Sequence, residues 1–195
     1  MSYVTKRLDE QVIKLLNGGA IGFMPSDTIY GMSCRALDKK AVQKLHRLKK
    51  RDKTKPFVVL ISRLEQLKEL GIISTDAAPA LRYWPGKLTM VCESQKAPPW
   101  LHMGTHTLAV RQPDYPELME LIDKVGPLIS TSANVSGLEP LDSVAKAQEA
   151  FGDRLDFYID AGKLGGKPST IVKPLFGQLE VLRPGAVKIS GKGSK

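Results

Sequence analysis

Long apolar runs are missing from this 195-residue sequence. No stretch approaches the roughly 20 consecutive apolar residues that span a bilayer, and Met1–Glu10 lacks the apolar centre of a secretory leader. A cytoplasmic location with no membrane partner is the expectation. Cysteine is scarce: Cys34 and Cys92 stand far apart without CxxC spacing, which favours buried free thiols in a reducing compartment over a structural disulfide. The three histidines, His46, His102 and His106, have no partners at ligand spacing. Gly104 interrupts any helix that would align the last two, so no metal site is expected from them. Aromatic residues make up 6% of the chain, which counts against the stacking platform of a single-strand RNA binder. Acid is in deficit, with 20 Asp and Glu against 29 Lys and Arg, for a formal charge of +9. That balance favours anionic partners such as nucleotides or RNA but names no reaction.

What is present is an ordinary globular composition, 42% hydrophobic and 25% charged, without a stretch that reads as a linker between two halves. One domain with one sizeable core is expected. Its apolar spacing alternates between two periods. Leu8, Val12, Leu15 and Leu16 form a helical stripe closed by Gly18 and Gly19, and Ala20–Met24 reads as a strand. Ala41, Val42, Leu45 and Leu48 mark a second helix, and Phe57–Ile61 a buried strand. Short helices are expected over Leu64–Leu70 and Asp76–Tyr83, the latter stopped by Trp84-Pro85-Gly86, and a strand over Leu88–Glu93. Ser94–His106, with Pro98, Pro99 and Gly104, is the least regular stretch and reads as a mobile loop that Trp100 packs down. Strands follow at Thr107–Arg111, Leu128–Ser130, Phe157–Asp160, Thr170–Lys173 and Leu179–Leu182. Helices are expected from Pro116 to Val125 and, capped by Ser143, through Phe151. From Ser190 onward the tail is Gly, Lys and Ser, and reads as disordered.

Three stretches carry candidate chemistry. Between Lys44 and Lys55 seven cations fall within twelve residues, with Asp52 the lone acid. In an extended or turning backbone Lys49, Arg51, Lys53 and Lys55 project to one side, a comb suited to a triphosphate. Taken alone, the run is equally a solvated face, and it does not separate a nucleotide from a nucleic acid backbone. Pro25-Ser-Asp-Thr-Ile-Tyr-Gly31 is built of turn residues, yet places the Thr28 and Tyr30 hydroxyls at a strand end, where α/β proteins bind ligands. Ser130-Thr-Ser-Ala-Asn-Val-Ser-Gly137 is equally a capped turn or a hydrogen-bonding surface. Arg111, a guanidinium at a strand end, suits a carboxylate. Gly162-Lys-Leu-Gly-Gly-Lys-Pro-Ser169 is not a Walker A loop, because its spacing is one residue short and Pro168 separates Lys167 from Ser169.

In their order, Pro25–Gly31, Lys49-x-Arg51 with Lys55-Pro56, Pro85-Gly-Lys-Leu-Thr89, Thr107–Pro113, Ser132-Ala-Asn134 with Ser136-Gly137, Ser169-Thr-Ile-Val172 and Leu182-Arg-Pro-Gly185 resemble the YrdC/Sua5 family of threonylcarbamoyl-AMP synthases. The resemblance implies an α/β fold: a single YrdC-like domain over residues 1–189, a twisted mixed sheet flanked by helices with a concave, positively charged face, followed by a disordered basic tail at 190–195. It implies that L-threonine, bicarbonate or CO2, and ATP yield threonylcarbamoyl-AMP and pyrophosphate. The product would supply transferase proteins that modify adenosine 37 of tRNAs reading ANN codons, with weak tRNA or other RNA binding compatible.

Carried onto this chain, the family pattern sets threonine against Thr28, Arg111, Ser130 and Ser169. It sets ATP against Lys49, Arg51, Lys55, Thr107, Ser132, Asn134 and Arg183, with Lys49 and Arg51 as the catalytic pair and Mg2+ held mainly by the phosphates. Leu60 stands where long members have a threonine-contacting His, and Pro140-Leu-Asp142, Pro168 and Lys173 also depart from their pattern. The match is to the short, single-domain type. An RNA-binding protein, or a relative acting on another carbamoylated substrate, are the competing expectations.

Overall fold

In the computed structural model, residues 1–49, 57–73, 77–94, 96–134, 139–175 and 178–189 are described. Their strands form one ten-stranded mixed sheet in the order β1-β8-β2-β3-β7-β4-β6-β5-β9-β10. The strands are β1 (Tyr3–Thr5), β2 (Gly22–Met24), β3 (Gly31–Arg35), β4 (Val58–Leu60), β5 (Leu88–Glu93), β6 (Thr107–Arg111), β7 (Leu128–Ser132), β8 (Phe157–Ile159), β9 (Thr170–Leu175) and β10 (Gln178–Arg183). The helices are α1 (Glu10–Asn17), α2 (Lys39–Lys49), α3 (Gln66–Glu69), α4 (Pro99–His102), α5 (Pro116–Val125) and α6 (Val144–Phe151), with 3-10 turns at Ala78–Tyr83 and Gly152–Arg154. Among the described residues no helix is long and apolar enough to cross a membrane.

Local chemistry explains the boundaries. The Asp9 carboxylate accepts from the Val12 amide at 3.0 Å and caps α1, whose end is closed by Gly18 and by Gly19 at φ 84°. Such a capping carboxylate satisfies one of the amides that an α-helix leaves open at its first turn. α5 starts on Pro116, where no amide is missed, and stops before Gly126 at φ 84°. Its last carbonyls attract a cation, and Arg35 Nε donates to Val125 O at 2.7 Å. Ser143 does stand at the α6 N-cap, but its side chain makes no capping hydrogen bond.

Alternation along the strands divides two cores. Val59, Met90, Val110, Ile129 and Val172 point to one face, where they meet apolar residues of α2, α6 and the shorter helices. On the opposite face Leu60 and Leu128 meet Val12 and Leu16 of α1 and Leu118, Leu121 and Ile122 of α5. Two residues along from Leu60 and Leu128 the helical cover stops. There Val58 pairs with Ser130 on β7 and with Ala109 on β6, an uncovered row in the middle of the sheet. Positions two apart on a strand share a face, so one register supplies both the small core and the open patch.

Ser94–His106 does not fit the expectation of an irregular loop: α4 lies within it, with Leu101 buried. Trp100 packs against the core as expected, its Nε1 donating to Ala36 O at 3.1 Å. His102 and His106, set apart by the glycine between them, nevertheless stack at 4.8 Å, because Met103 and His106 both take positive φ and fold the chain back. The tail at 190–195 lies outside the described residues.

Cys34 and Cys92 are both buried, and no disulfide joins them. Burial, then the Asp38 charge, pushes the Cys34 thiol well above its usual range. Thiolate, not thiol, is the nucleophile. In the native protein Cys34 is therefore expected to be inert to a chromogenic disulfide reagent at neutral pH and to react promptly in denaturant. Stoichiometric labelling of Cys34 without denaturant, read by peptide mass, would contradict its placement.

Candidate functional site

The uncovered row opens into a cavity of about 130 Å³. Its floor is Val58, Ala109 and Ile171, and its polar wall is Thr28, Arg111, Ser130, Ser132, Ser169 and Arg183. Each wall residue comes from a different strand or strand end, apart from the pair on β7. Ser130 and Ser132 share a face by alternation, as do Ala109 and Arg111. Thr107 lies two residues before Ala109 on the same face of β6, at the far end of the strand and beyond the cavity lining. Gly31 lies opposite Ser132 in the β3–β7 register, and a Cβ there would come within 3.0 Å of Ser130 Oγ.

The loop at 25–30 is fixed by its own hydroxyls. Ser26 Oγ lies 2.9 Å from Thr28 Oγ1, donates to Ile29 O at 2.8 Å and accepts from the Thr28 amide at 3.2 Å. Tyr30, weighed as a ligand contact, faces elsewhere. It is fully buried, stacks on Phe23 at 4.4 Å, accepts from the Ala161 amide and donates to Gly162 O at 2.7 Å. The tyrosine thus ties the strand that follows Thr28 to the loop that carries Ser169, and burial raises its pKa.

Ser169 is held from three directions. Its Oγ lies 2.8 Å from Thr89 Oγ1, and Arg183 Nη2 donates to Ser169 O at 2.7 Å and to Ser169 Oγ at 3.3 Å. Behind it Ala186 N donates to Pro168 O, and Val187 exchanges two hydrogen bonds with the Thr170 hydroxyl. This lacing leaves no room for a side chain at residue 185, where a Cβ would lie 2.6 Å from the Ser169 carbonyl carbon. Gly185→Ala is accordingly expected to cost about 1–3 kcal/mol by overpacking and to displace Ser169. Unchanged urea stability and unchanged ligand use would show that the segment gives way freely.

Arg111 is 3% exposed and forms an ion pair with the equally buried Asp27. Burial, then the charge of Arg111, lowers the pKa of Arg183 from the ordinary arginine value. Two guanidiniums thus line one small cavity, that of Arg111 already paired with Asp27, and their N–H donors suit an anionic group. Lys49 comes from the end of α2, on the main-core side. It is 1% exposed, and its ammonium donates to Ser132 O and to Asn134 Oδ1 at 3.0 Å, with Ser132 Oγ at 3.4 Å. Ser132 Oγ also donates to Asn134 Oδ1 at 2.6 Å. Lys49, 83 and 85 residues before them in sequence, therefore joins Ser132 and Asn134 in one cluster that meets the cavity at Ser132. Arg51 and Lys55 lie outside the described residues.

The Sua5/YciO/YrdC family model, described as "Telomere recombination", matches residues 14–185. The chain belongs to this family. Among its relatives, the Marinobacter nauticus "Threonylcarbamoyl-AMP synthase" is 33% identical over 91% of this chain and 95% of its own length. The Photorhabdus laumondii protein of the same name is 35% identical over 87% and 93%. The Sua5 protein of Pyrococcus abyssi, solved in complex with L-threonine, superposes with a TM-score of 0.82 at 30% identity, covering 94% of this chain and 57% of that one. YciO of E. coli has the same fold, with a TM-score of 0.82 at 22% identity over 96% and 98% of the two chains.

In this family member the cavity gathers Thr28, Arg111, Ser130, Ser132, Ser169 and Arg183 from the expected set. Leu60, where longer members were expected to differ, is buried in the small core and pairs in register with Arg111. Asp27 and Thr89 stand within the motifs without a role that the sequence assigns. Their only sequence signal was position, a lone acid beside Thr28 and a hydroxyl ending the Pro85–Thr89 stretch.

Proposed function

We propose that the chain is a threonylcarbamoyl-AMP synthase, a nucleotidyltransferase that joins L-threonine, CO2 from bicarbonate, and ATP. The observation that carries this is the cavity itself: a buried guanidinium whose Nε has no partner among the described residues, with the hydroxyls of Thr28, Ser130 and Ser169 in the same lining. A buried fork of this kind matches a carboxylate, and neighbouring hydroxyls match a hydroxylated amino acid. Arg111 takes the threonine carboxylate, and Thr28, Ser130 and Ser169 surround the rest of the amino acid. ATP is assigned to Lys49, Arg51, Lys55, Thr107, Ser132, Asn134 and Arg183, the residues that the family resemblance sets against it.

The threonine amine attacks CO2, forming a nitrogen–carbon bond and releasing a proton to solvent. A carbamate oxygen then attacks the α-phosphorus, and the bond to the bridging oxygen breaks with its electron pair leaving on pyrophosphate. Alignment and charge neutralisation supply most of what such a transfer needs. Mg2+, which keeps several waters and binds readily through substrate phosphates, is assigned to the ATP phosphates and enters with the substrate. The adenylate would pass to transferase proteins of the tRNA t6A pathway, with tRNA as final acceptor.

The test is incubation with ATP, Mg2+, bicarbonate and L-threonine, measuring pyrophosphate and the adenylate mass, with serine and amino-acid-free controls. Threonine-dependent pyrophosphate with an adenylate of threonylcarbamoyl mass is expected. ATP binding without threonine-dependent turnover would instead favour another carbamoylated substrate.

A further inference from the structure

Asp27 lies in the loop that carries Thr28, and Arg111 ends β6, 84 residues later. Asp27 Oδ1 accepts from Arg111 Nη1, Asp27 Oδ2 accepts from the Asp114 amide at 3.3 Å, and both side chains of the pair are 3% exposed. The carboxylate is thus held on two sides and grips one end of the guanidinium. Arg111 Nε, on the opposite flank of the planar group, is buried without a hydrogen-bond partner among the described residues. A buried donor in that state is costly until an acceptor arrives. The Nε flank of an arginine matches a carboxylate bidentately.

We infer that Asp27 is a positioning residue for ligand recognition. It holds Arg111 by Nη1 and leaves the Nε flank to take a ligand acceptor. It also cancels the arginine charge locally, so that a singly charged, planar carboxylate is preferred over a multiply charged phosphate. This rests on the cavity being the amino-acid site. The opposite role, an internal competitor that the ligand must displace, predicts an effect of opposite sign.

The experiment compares the wild-type chain with Asp27→Asn and Asp27→Glu. It measures the KM for L-threonine at saturating ATP, the KM for ATP at saturating threonine, and inhibition by inorganic phosphate against threonine. Asn still accepts from Nη1 but removes the charge. Threonine KM is expected to rise about tenfold or more while ATP KM stays within about twofold, and phosphate is expected to become the stronger inhibitor. Glu keeps the charge but shifts the guanidinium by a methylene, so threonine KM should rise with phosphate inhibition unchanged. A lower threonine KM in Asp27→Asn would establish the competitor role. Unchanged threonine KM and phosphate inhibition would reduce Asp27 to scaffolding. If Asp27→Asn does not fold, as judged by thermal unfolding, the threonine KM of Asp27→Glu decides alone.

Calorimetric binding of L-threonine to all three proteins separates this inference from the functional one. Wild-type binding without pyrophosphate release overturns the synthase and leaves Asp27 to be judged by the three affinities. No wild-type binding overturns both.

Discussion

Arg111→Ala is expected to remove nearly all threonine-dependent pyrophosphate release while ATP binding persists. Truncating one member of a buried, hydrogen-bonded charge pair at a binding site costs about 2–5 kcal/mol, which corresponds to roughly 30- to 5000-fold in kcat/KM. Two losses combine here: the amino acid loses its carboxylate partner, and Asp27 is left as a buried carboxylate without its counter-ion. Arg111→Lys should recover little, because an ammonium offers no planar fork with which to hold Asp27 on one side and a ligand on the other. The measurement is pyrophosphate release against threonine concentration, with ATP binding and thermal unfolding as controls. An Arg111→Ala protein that folds and keeps its threonine KM would remove the carboxylate from this end of the cavity.

Lys49→Met should act on stability and turnover together. The ammonium is 1% exposed and serves Ser132 O and Asn134 Oδ1 at once. Met fills similar space and supplies no donor, so the effect read is the loss of polar partners rather than of volume. A hydrogen bond from a charged donor contributes about 1.5–3 kcal/mol, and a loss of about 3 kcal/mol lowers the melting temperature by roughly 6–12 °C in a chain of this size. Because Ser132 also lines the cavity, turnover should fall with stability. Calorimetric melting and the pyrophosphate assay check the two halves. A variant as stable and as active as the parent would show that Lys49 neither braces Ser132 and Asn134 nor meets the nucleotide.

Much of this was legible in the sequence, for reasons that differ by element. β6 and α5 match their expected bounds, Thr107–Arg111 and Pro116–Val125, because a clean apolar pattern meets a proline or a glycine at the edges. β7 runs two residues past its expected end, through Ser132, since hydroxyl residues read as turn formers until a neighbouring strand claims their amides. β1 and β3 were missed. Tyr3–Thr5 is three residues long and pairs only with distant β8, and Gly31–Arg35 opens on a glycine inside what looks like a loop. The six cavity residues were nameable because motif order carries them, whereas the partners that hold them were not. The grip of Asp27 on Arg111 spans 84 residues, and that of Thr89 on Ser169 spans 80; no local period encodes such pairings. Lys49 illustrates the same limit, expected in an exposed comb and found buried against Ser132 and Asn134.

The wall formed by Ser169 and Arg183 is laid against β5 by β9, whose Thr170 pairs with Leu88. Chains are synthesised from the N-terminus at about 5–20 residues per second, so on the ribosome eight of the ten strands emerge before either wall residue. A nascent chain that has reached residue 160 can hold Asp27 against Arg111 and present Ser130 and Ser132, but lacks the wall of Ser169 and Arg183. If the cavity is the amino-acid site proposed above, such an intermediate cannot capture its ligand, and the ligand can stabilise this protein only after the last two strands have closed on the sheet.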